Sequence, residues 1–291
     1  MIYTIHNDYL TVSVSSFGAE LQSIRSGSNR EYLWQGDLSI WSGRAPNLFP
    51  FVARLRDGVY RMDDKEYSMK IHGFAKYLEF ECVKEEKDAL VFELTSNEET
   101  LAQYPRDFRF QIGYSLNANG LSVTYTVVNL DKRTMFFGIG GHPGFNVPME
   151  EGKKFEDYKI VFPEKCHPQR VIFSEKCYVD HLEDYQLEDE TSLPLKHDLF
   201  DNDAVVLTNV PREITITSGS DKPYVKVSFP GMRYVGFWHM PHKEAPYVCV
   251  EPWVSLPGNE HEPTVFENKE DLISLEPGAA YENKWEITIW E

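Results

Sequence analysis

Alternation of apolar and polar side chains with a period of two constrains this chain more than any other feature. In Leu121-Ser122-Val123-Thr124-Tyr125-Thr126-Val127 the odd positions are apolar and the even ones small and polar. Successive side chains leave a pleated strand on opposite sides, so this pattern describes a half-buried strand. Asn117-Ala118-Asn119-Gly120, just before it, is a turn. Runs rich in β-branched and aromatic residues also stand at 2–5, 9–14, 19–24, 78–82, 89–94 and 108–116. The second half continues the habit at 159–162, 204–207, 213–217, 224–229, 234–238, 247–250, 272–275 and 285–289. His6-Asn7-Asp8, between the first two runs, is hairpin turn chemistry. One helix is expected, where Ser96 and Glu99 make a capping box and Pro105 stops the chain after about two turns. Strands without intervening helices argue against a parallel α/β sheet. The expectation is an all-β fold, a large antiparallel β-sandwich with very little helix, and one domain over residues 1–291.

Charge narrows the partners. The chain carries 46 acidic and 29 basic residues, a net charge of −17. That balance repels phosphate backbones and anionic lipid, so neither nucleic acid nor membrane is an expected partner. No apolar run reaches the ~18 residues of a membrane span. The opening MIYTIHNDYLTVSV has no basic region followed by an apolar core, and a cytoplasmic location is expected. Cys82, Cys166, Cys177 and Cys249 show no C-x-x-C spacing and read as reduced thiols, although Cys166 and Cys177 could pair.

Four segments place functional side chains beside glycine or proline. Met135 to Val147, read MFFGIGGHPGFNV, sets His142 among Gly138, Gly140, Gly141 and Gly144. Glycine permits positive φ and close approach of another molecule to the backbone, and histidine is the commonest acid/base side chain. A turn histidine with a local hydrogen bond is the competing reading. Arg54 follows the apolar run Phe49-Pro50-Phe51-Val52-Ala53, where an arginine needs a carboxylate or ligand oxygens. Arg56 lies two residues on, but Asp57-Gly58 signals a turn. In Met69-Lys70-Ile71-His72-Gly73-Phe74 a second histidine precedes glycine. In Tyr247-Val248-Cys249-Val250-Glu251-Pro252-Trp253, four strand residues deliver Glu251 to a strand end, because Pro252 cannot donate to a ladder. A partly buried carboxyl there suits a general base, and Trp253 offers a face for stacking on a sugar; a structural ion pair with arginine is the alternative.

Other patterns carry less. His239-Met240-Pro241-His242 has a proline between its histidines and no further ligand at metal spacing. Phe200-Asp201-Asn202-Asp203 lacks the glycine and glutamate of a calcium loop. No phosphate-binding loop, dinucleotide fingerprint or G-x-S-x-G is present, and no metal or cofactor is expected. His167, His181, His197 and His261 lie in polar segments and are expected to be solvated. Two histidines, a glutamate and an arginine, without a nucleophile or cofactor motif, suit plain proton transfer.

In order, Arg54, Ile71-His72-Gly73, Gly141-His142-Pro143-Gly144-Phe145-Asn146 and Glu251-Pro252-Trp253 resemble the aldose 1-epimerase (galactose mutarotase-like) family. Thr100-Leu101-Ala102-Gln103-Tyr104-Pro105, with Phe108, Phe110 and Tyr114, is similar to its bacterial branch. The resemblance implies a β-supersandwich with a sugar site on its concave face. It implies anomer interconversion of a free hexose without a cofactor, by a monomer or homodimer acting on a small-molecule monosaccharide. By the same resemblance Glu251 is the general base and His142 the general acid, while His72 and Arg54 hold sugar hydroxyls. The sugar-binding aspartate falls at Asp201 or Asp203, with Asp201 favoured. Two other readings stay open. A hexose-6-phosphate mutarotase of the same fold would need cations near C6, from Arg56, Arg61 or Lys76. A non-catalytic carbohydrate-binding or sugar-sensing domain would keep Trp253 and Arg54 without needing both His142 and Glu251.

Overall fold

The structure is a computed structural model that describes residues 1–219 and 223–291. Two large antiparallel sheets dominate the described residues. The larger has nine strands, and at its centre Phe108–Asn117, Gly120–Asn129 and Ala280–Trp290 lie side by side. The expected alternation holds here: along Phe108–Asn117 every second residue from Phe108 to Leu116 is buried. The other sheet runs from Val179–Asp184 through Val205–Thr208, Tyr234–Trp238 and Tyr247–Trp253 to Gly140–Gly141 and Asn47–Leu48. Tyr125 shows how the two sheets are tied. From the nine-stranded sheet its hydroxyl donates to Asn47 Oδ1 at 2.8 Å in the other. Asn47 in turn donates to the carbonyls of Gly18 and Ala19 at 3.0 and 2.9 Å. The Tyr125 hydroxyl and both ends of the Asn47 amide thus find partners, as burial away from water demands.

Sequence and structure part in small ways. The first hairpin forms as expected, with Asn7 Oδ1 accepting from the amides of Tyr9 and Leu10. The run at 78–82 pairs later, over Glu81–Glu85, and the run at 19–24 over Leu21–Ser26. The helix is Glu98–Gln103, but its cap is one residue on from the expected one. Asn97 accepts from Thr100 N–H, and Thr100 Oγ1 accepts from Asn97 N–H. Ser96 instead bonds Asp107 and the amide of Phe108, so its hydroxyl belongs to the neighbouring strand. Cys82, Cys166, Cys177 and Cys249 are all free thiols, so Cys166 and Cys177 do not pair. Among the described residues no helix is long and apolar enough to cross a membrane.

Glycine around His142 serves packing rather than ligand approach. A Cβ on Gly141 would stand 2.7 Å from the Trp285 ring, and one on Gly140 2.7 Å from Trp253 Cδ1. None of the four glycines there has positive φ. Positive φ belongs instead to the His72 turn, at Ala53 (57°), His72 (66°) and Gly73 (72°). A Cβ on Gly73 would sit 2.1 Å from the Phe49 carbonyl oxygen, which accepts from the amides of Phe74 and Ala75. Gly73→Ala must therefore break this junction or strain it. We expect a loss of about 2–4 kcal/mol, read as a lower urea midpoint at constant slope. A loss under about 1 kcal/mol would show that the turn relaxes freely.

Candidate active site

Strand register brings the two expected proton-transfer residues together. Gly140 pairs with Trp253 and Gly144 with Cys249. Midway between these pairs His142 stands opposite Glu251, and its Nε2 lies 3.1 Å from Glu251 Oε2. The ladder is incomplete beside them. Val250 N–H donates to Pro143 O and Val254 N–H to Ile139 O. Amides alternate in direction along an antiparallel strand, so that of residue 252 also faces this side. Proline has no N–H, and the His142 turn occupies the gap. The expectation that pairing ends at Pro252 is thus corrected. The strand continues to Trp253 with Val235 opposite Pro252, because the missing donor faces only one neighbour. Glu251 is mid-strand, not at a strand end.

Burial sets the charge of the pair. His142 is 7% and Glu251 2% exposed. Desolvation penalises the charged form of each. It pushes the Glu251 carboxyl well above its usual range, Asp203 adds to this, and Lys76 opposes it. Burial, with Lys76 second, pulls the His142 imidazole down to about 3. Both shifts favour the uncharged forms, a protonated carboxyl beside a neutral imidazole, and two groups this close titrate as a unit. A distance of 3.1 Å lets the carboxyl proton sit on either partner.

All the expected residues line one cavity of about 980 Å³: Arg54, His72, His142, Asp201, Glu251 and Trp253, together with Asp203. His72 Nδ1 accepts from Ala53 N–H at 3.1 Å, which puts the ring proton on Nε2. Burial first, then the neighbouring His142, Lys76 and Arg54, holds His72 well below its ordinary pKa and so neutral. The His72 ring meets that of His142 edge-on at 5.4 Å. Arg54 is half-exposed rather than buried, and its partner is Asp203, with Nη2 3.9 Å from Oδ2. Asp201 is committed elsewhere: its Oδ1 accepts from His242 N–H at 2.9 Å. Arg56 and Arg61 leave the site altogether and line a separate cavity of about 260 Å³.

Several cavity residues carried no sequence signal, or a misleading one. Trp253 is only 3% exposed and packs against Gly140, beneath the surface. Aromatic faces come instead from Trp41 and Trp238. Trp41 stacks on His142 at 5.2 Å and meets Trp238 edge-on at 5.5 Å. Trp238 ends a recognisable strand, Tyr234–Trp238, whereas Trp41 lies in a segment without periodicity. Lys76 lines the cavity with its ammonium 4.9 Å from the Tyr77 ring centre, and burial pulls its pKa down to about 8. Cys177 also lines it. His197, expected in solvent, is only partly exposed: it stacks on Phe155 at 4.3 Å and its Nδ1 lies 3.1 Å from Nε2 of fully buried His239. His167, His181 and His261 are exposed as expected.

Comparison with known proteins bears on what such a site is for. The aldose 1-epimerase family model matches residues 1–288. This chain belongs to that family. It is 32% identical to LacX (chromosomal) of Lactococcus lactis subsp. lactis over 298 aligned positions, covering 99% of each chain. A galactose mutarotase related enzyme from Lactobacillus acidophilus superposes with a TM-score of 0.95 at 32% identity, covering all of this chain and 98% of the other. A galactose mutarotase-like protein from Lactobacillus casei gives 0.93 at 32% identity over the full length of both chains. Family and fold therefore agree with the resemblance carried by Arg54, His72, the His142 segment and Glu251.

The charge state is open to measurement. The unfolded chain binds a proton on His142 near pH 6.5, whereas the folded chain does so only at about 3. The imidazole thus favours the folded state fully above about 6.5, and this stabilisation is lost as pH falls toward 3. Nitrogen chemical shifts of His142 should stay those of a neutral ring from about pH 8 to about pH 5. A titration midpoint near the ordinary histidine value would overturn the buried one-proton pair.

Proposed function

We propose that this chain is a cofactor-independent aldose 1-epimerase, interconverting the α and β anomers of a free hexose by acid/base ring opening and reclosure. One observation carries the reading: the imidazole of His142 and the carboxyl of Glu251, 3.1 Å apart, lie side by side on the floor of a cavity that Trp41 and Trp238 help to wall. Mutarotation needs a base at the anomeric hydroxyl O1 and an acid at the ring oxygen O5. Both oxygens are bonded to the same carbon, so their two partners must be neighbours. Adjacent cross-strand residues meet that demand better than groups on opposite faces of the ring.

The cycle starts from the tautomer with the proton on His142. Glu251 takes the proton of O1, the C1–O5 bond breaks, and His142 protonates O5. An open-chain aldehyde results, with the proton now on Glu251. Rotation about C1–C2 presents the other carbonyl face. On reclosure O5 attacks C1, its proton returns to His142, and Glu251 protonates the carbonyl oxygen. The pair ends as it began and never departs from one proton, so its net charge stays zero throughout. His72 offers Nε2–H to a sugar oxygen. The Arg54–Asp203 pair offers donors and acceptors to vicinal hydroxyls, and Trp41 and Trp238 offer apolar faces to ring C–H groups.

The free sugar is favoured over a 6-phosphate because Arg56 and Arg61 line a separate cavity, which leaves Lys76 and Arg170 as the cations beside Arg54 here. Comparing glucose with glucose 6-phosphate tests that choice. Glu251→Gln and His142→Asn should each lower turnover by at least about a hundredfold with the fold retained. Anomer equilibration followed by polarimetry or NMR reads this, and near wild-type rates in either variant would remove the assigned roles.

Between the aspartates we assign the sugar-reading role to Asp203, since Asp201 holds the His242 turn and Asp203 faces Arg54. Asp203→Asn should raise KM about tenfold or more, and Asp201→Asn far less. The reverse order would restore Asp201 to the site.

A further inference from the structure

One ionisable group lies inside the candidate centre and has no part in the proton transfer. Cys249 stands two residues before Glu251 on Tyr247–Trp253, so both side chains leave the same face of the sheet. Its thiol is fully buried, and it does not line the cavity. A nitrogen of His142, the Sγ of Cys249 and a carboxylate oxygen of Glu251 all lie within 4.8 Å of one another. Imidazole, thiolate and carboxylate are the three donor types of protein zinc sites, at bond lengths of about 2.0–2.3 Å around a tetrahedral ion. Donors on such an ion stand roughly 3–4 Å apart, and His142 Nε2 and Glu251 Oε2 are already at 3.1 Å.

We propose that His142, Cys249 and Glu251 form a binding site for a thiophilic divalent cation of the zinc class, with a cavity water as fourth ligand, and that its occupation shuts off proton transfer. The ion enters from the cavity, which His142 and Glu251 line, and finds the sulfur beneath them. On binding it replaces the thiol proton and the proton shared by the pair. Two protons leave and a doubly charged ion arrives, so the buried centre keeps its net charge. This balance removes the main obstacle to placing an ion there, an uncompensated charge in an apolar floor. Thiolate selects zinc, cadmium or cobalt over magnesium and calcium. Inhibition follows because the metal occupies the lone pairs that exchange the proton. That part rests on the mutarotase reading; the binding itself does not.

The test uses the full chain freed of metal by a chelator. Calorimetric titration with zinc should give one ion per chain, and magnesium should give no binding heat under the same conditions. Cobalt should show a thiolate-to-metal charge-transfer band. The exposed cluster of Asp180, His181 and His261 cannot produce that band, because it has no sulfur. Cys249→Ala should lose the band and weaken zinc at least about a hundredfold, the upper end of what even outer-shell partners cost. Cys249→Ser serves the same purpose if the alanine variant does not fold. Zinc should abolish anomer equilibration, a chelator should restore it, and the Cys249 variants should be insensitive to zinc. Zinc binding without a thiolate band, or equal zinc affinity in wild type and Cys249→Ser, overturns the site. Metal binding as stated in a chain that equilibrates no hexose leaves the site standing and sinks the mutarotase reading instead.

Discussion

Cross-strand register is what the candidate site depends on. Gly140 opposite Trp253 and Gly144 opposite Cys249 leave no choice about which residue faces Glu251. A shift of one residue would turn either side chain to the other face of the sheet. The register is itself well fastened. Asn47–Leu48 pairs with Gly140–Gly141 on the far side, and Asn47 is held by Tyr125, Gly18 and Ala19. Bulk enforces it too, since a Cβ on Gly140 or Gly141 would collide with Trp253 or Trp285. Proton-transfer distance at His142–Glu251 is therefore a consequence of core packing, set before any ligand arrives.

The same packing makes the pair costly to charge and useful when neutral. Cys249 and Tyr247 lie on the same strand face, and Trp41 stacks on both His142 and Tyr247. An isolated carboxylate in such surroundings would be strongly disfavoured, as would an isolated imidazolium. One proton shared between them avoids both. Lys76 adds a positive field at the rim, felt by Glu251 and His142 alike. It favours loss of the proton from either member and so narrows the gap between carboxyl and carboxylate. The fold accepts strain nearby: Ala53 and His72 both have positive φ without being glycine. Their mutual bonds, His72 N–H to Ala53 O and Ala53 N–H to His72 Nδ1, hold the histidine in a single tautomer.

How much of this the sequence disclosed depends on the kind of pattern. Period-two runs such as Leu121–Val127 express burial directly, and the strands there appear where expected. Turn chemistry at His6-Asn7-Asp8 was equally readable, because Asn7 bonds its own neighbours. Glu251, His142, His72 and Arg54 stood out because each interrupts a local rule, a charged or polar group at the edge of an apolar run. Their shared cavity was not legible, since it depends on pairings between segments more than a hundred residues apart. Pro252 misled for the same reason: a missing amide ends a ladder only if a partner strand lies on that side. Trp41 gave no signal, being placed by tertiary contacts in an irregular segment, and Lys76 stood only as one of three candidate cations, with nothing in its own turn Ala75–Tyr77 to single it out. Asp201 and Asp203 differ only in what surrounds them, which two positions in one loop cannot express.

The glycines around His142 show how far a local reading reaches. Smallness there was legible, and its purpose was not. Gly138, Gly140, Gly141 and Gly144 make room for Ser255, Trp253, Trp285 and Trp41, so the space they leave is filled by protein. The open volume of the cavity arises one layer higher, between the Trp41–Trp238 wall and the Arg54–Asp203 pair. Among the described residues, aromatic rings fill the floor around the pair, and His142 and Glu251 face the cavity. On the proposed mutarotase reading, a sugar that enters would displace water from the side on which the cavity exposes His142 and Glu251, and binding would then strengthen the electrostatic hold on the atoms that exchange protons.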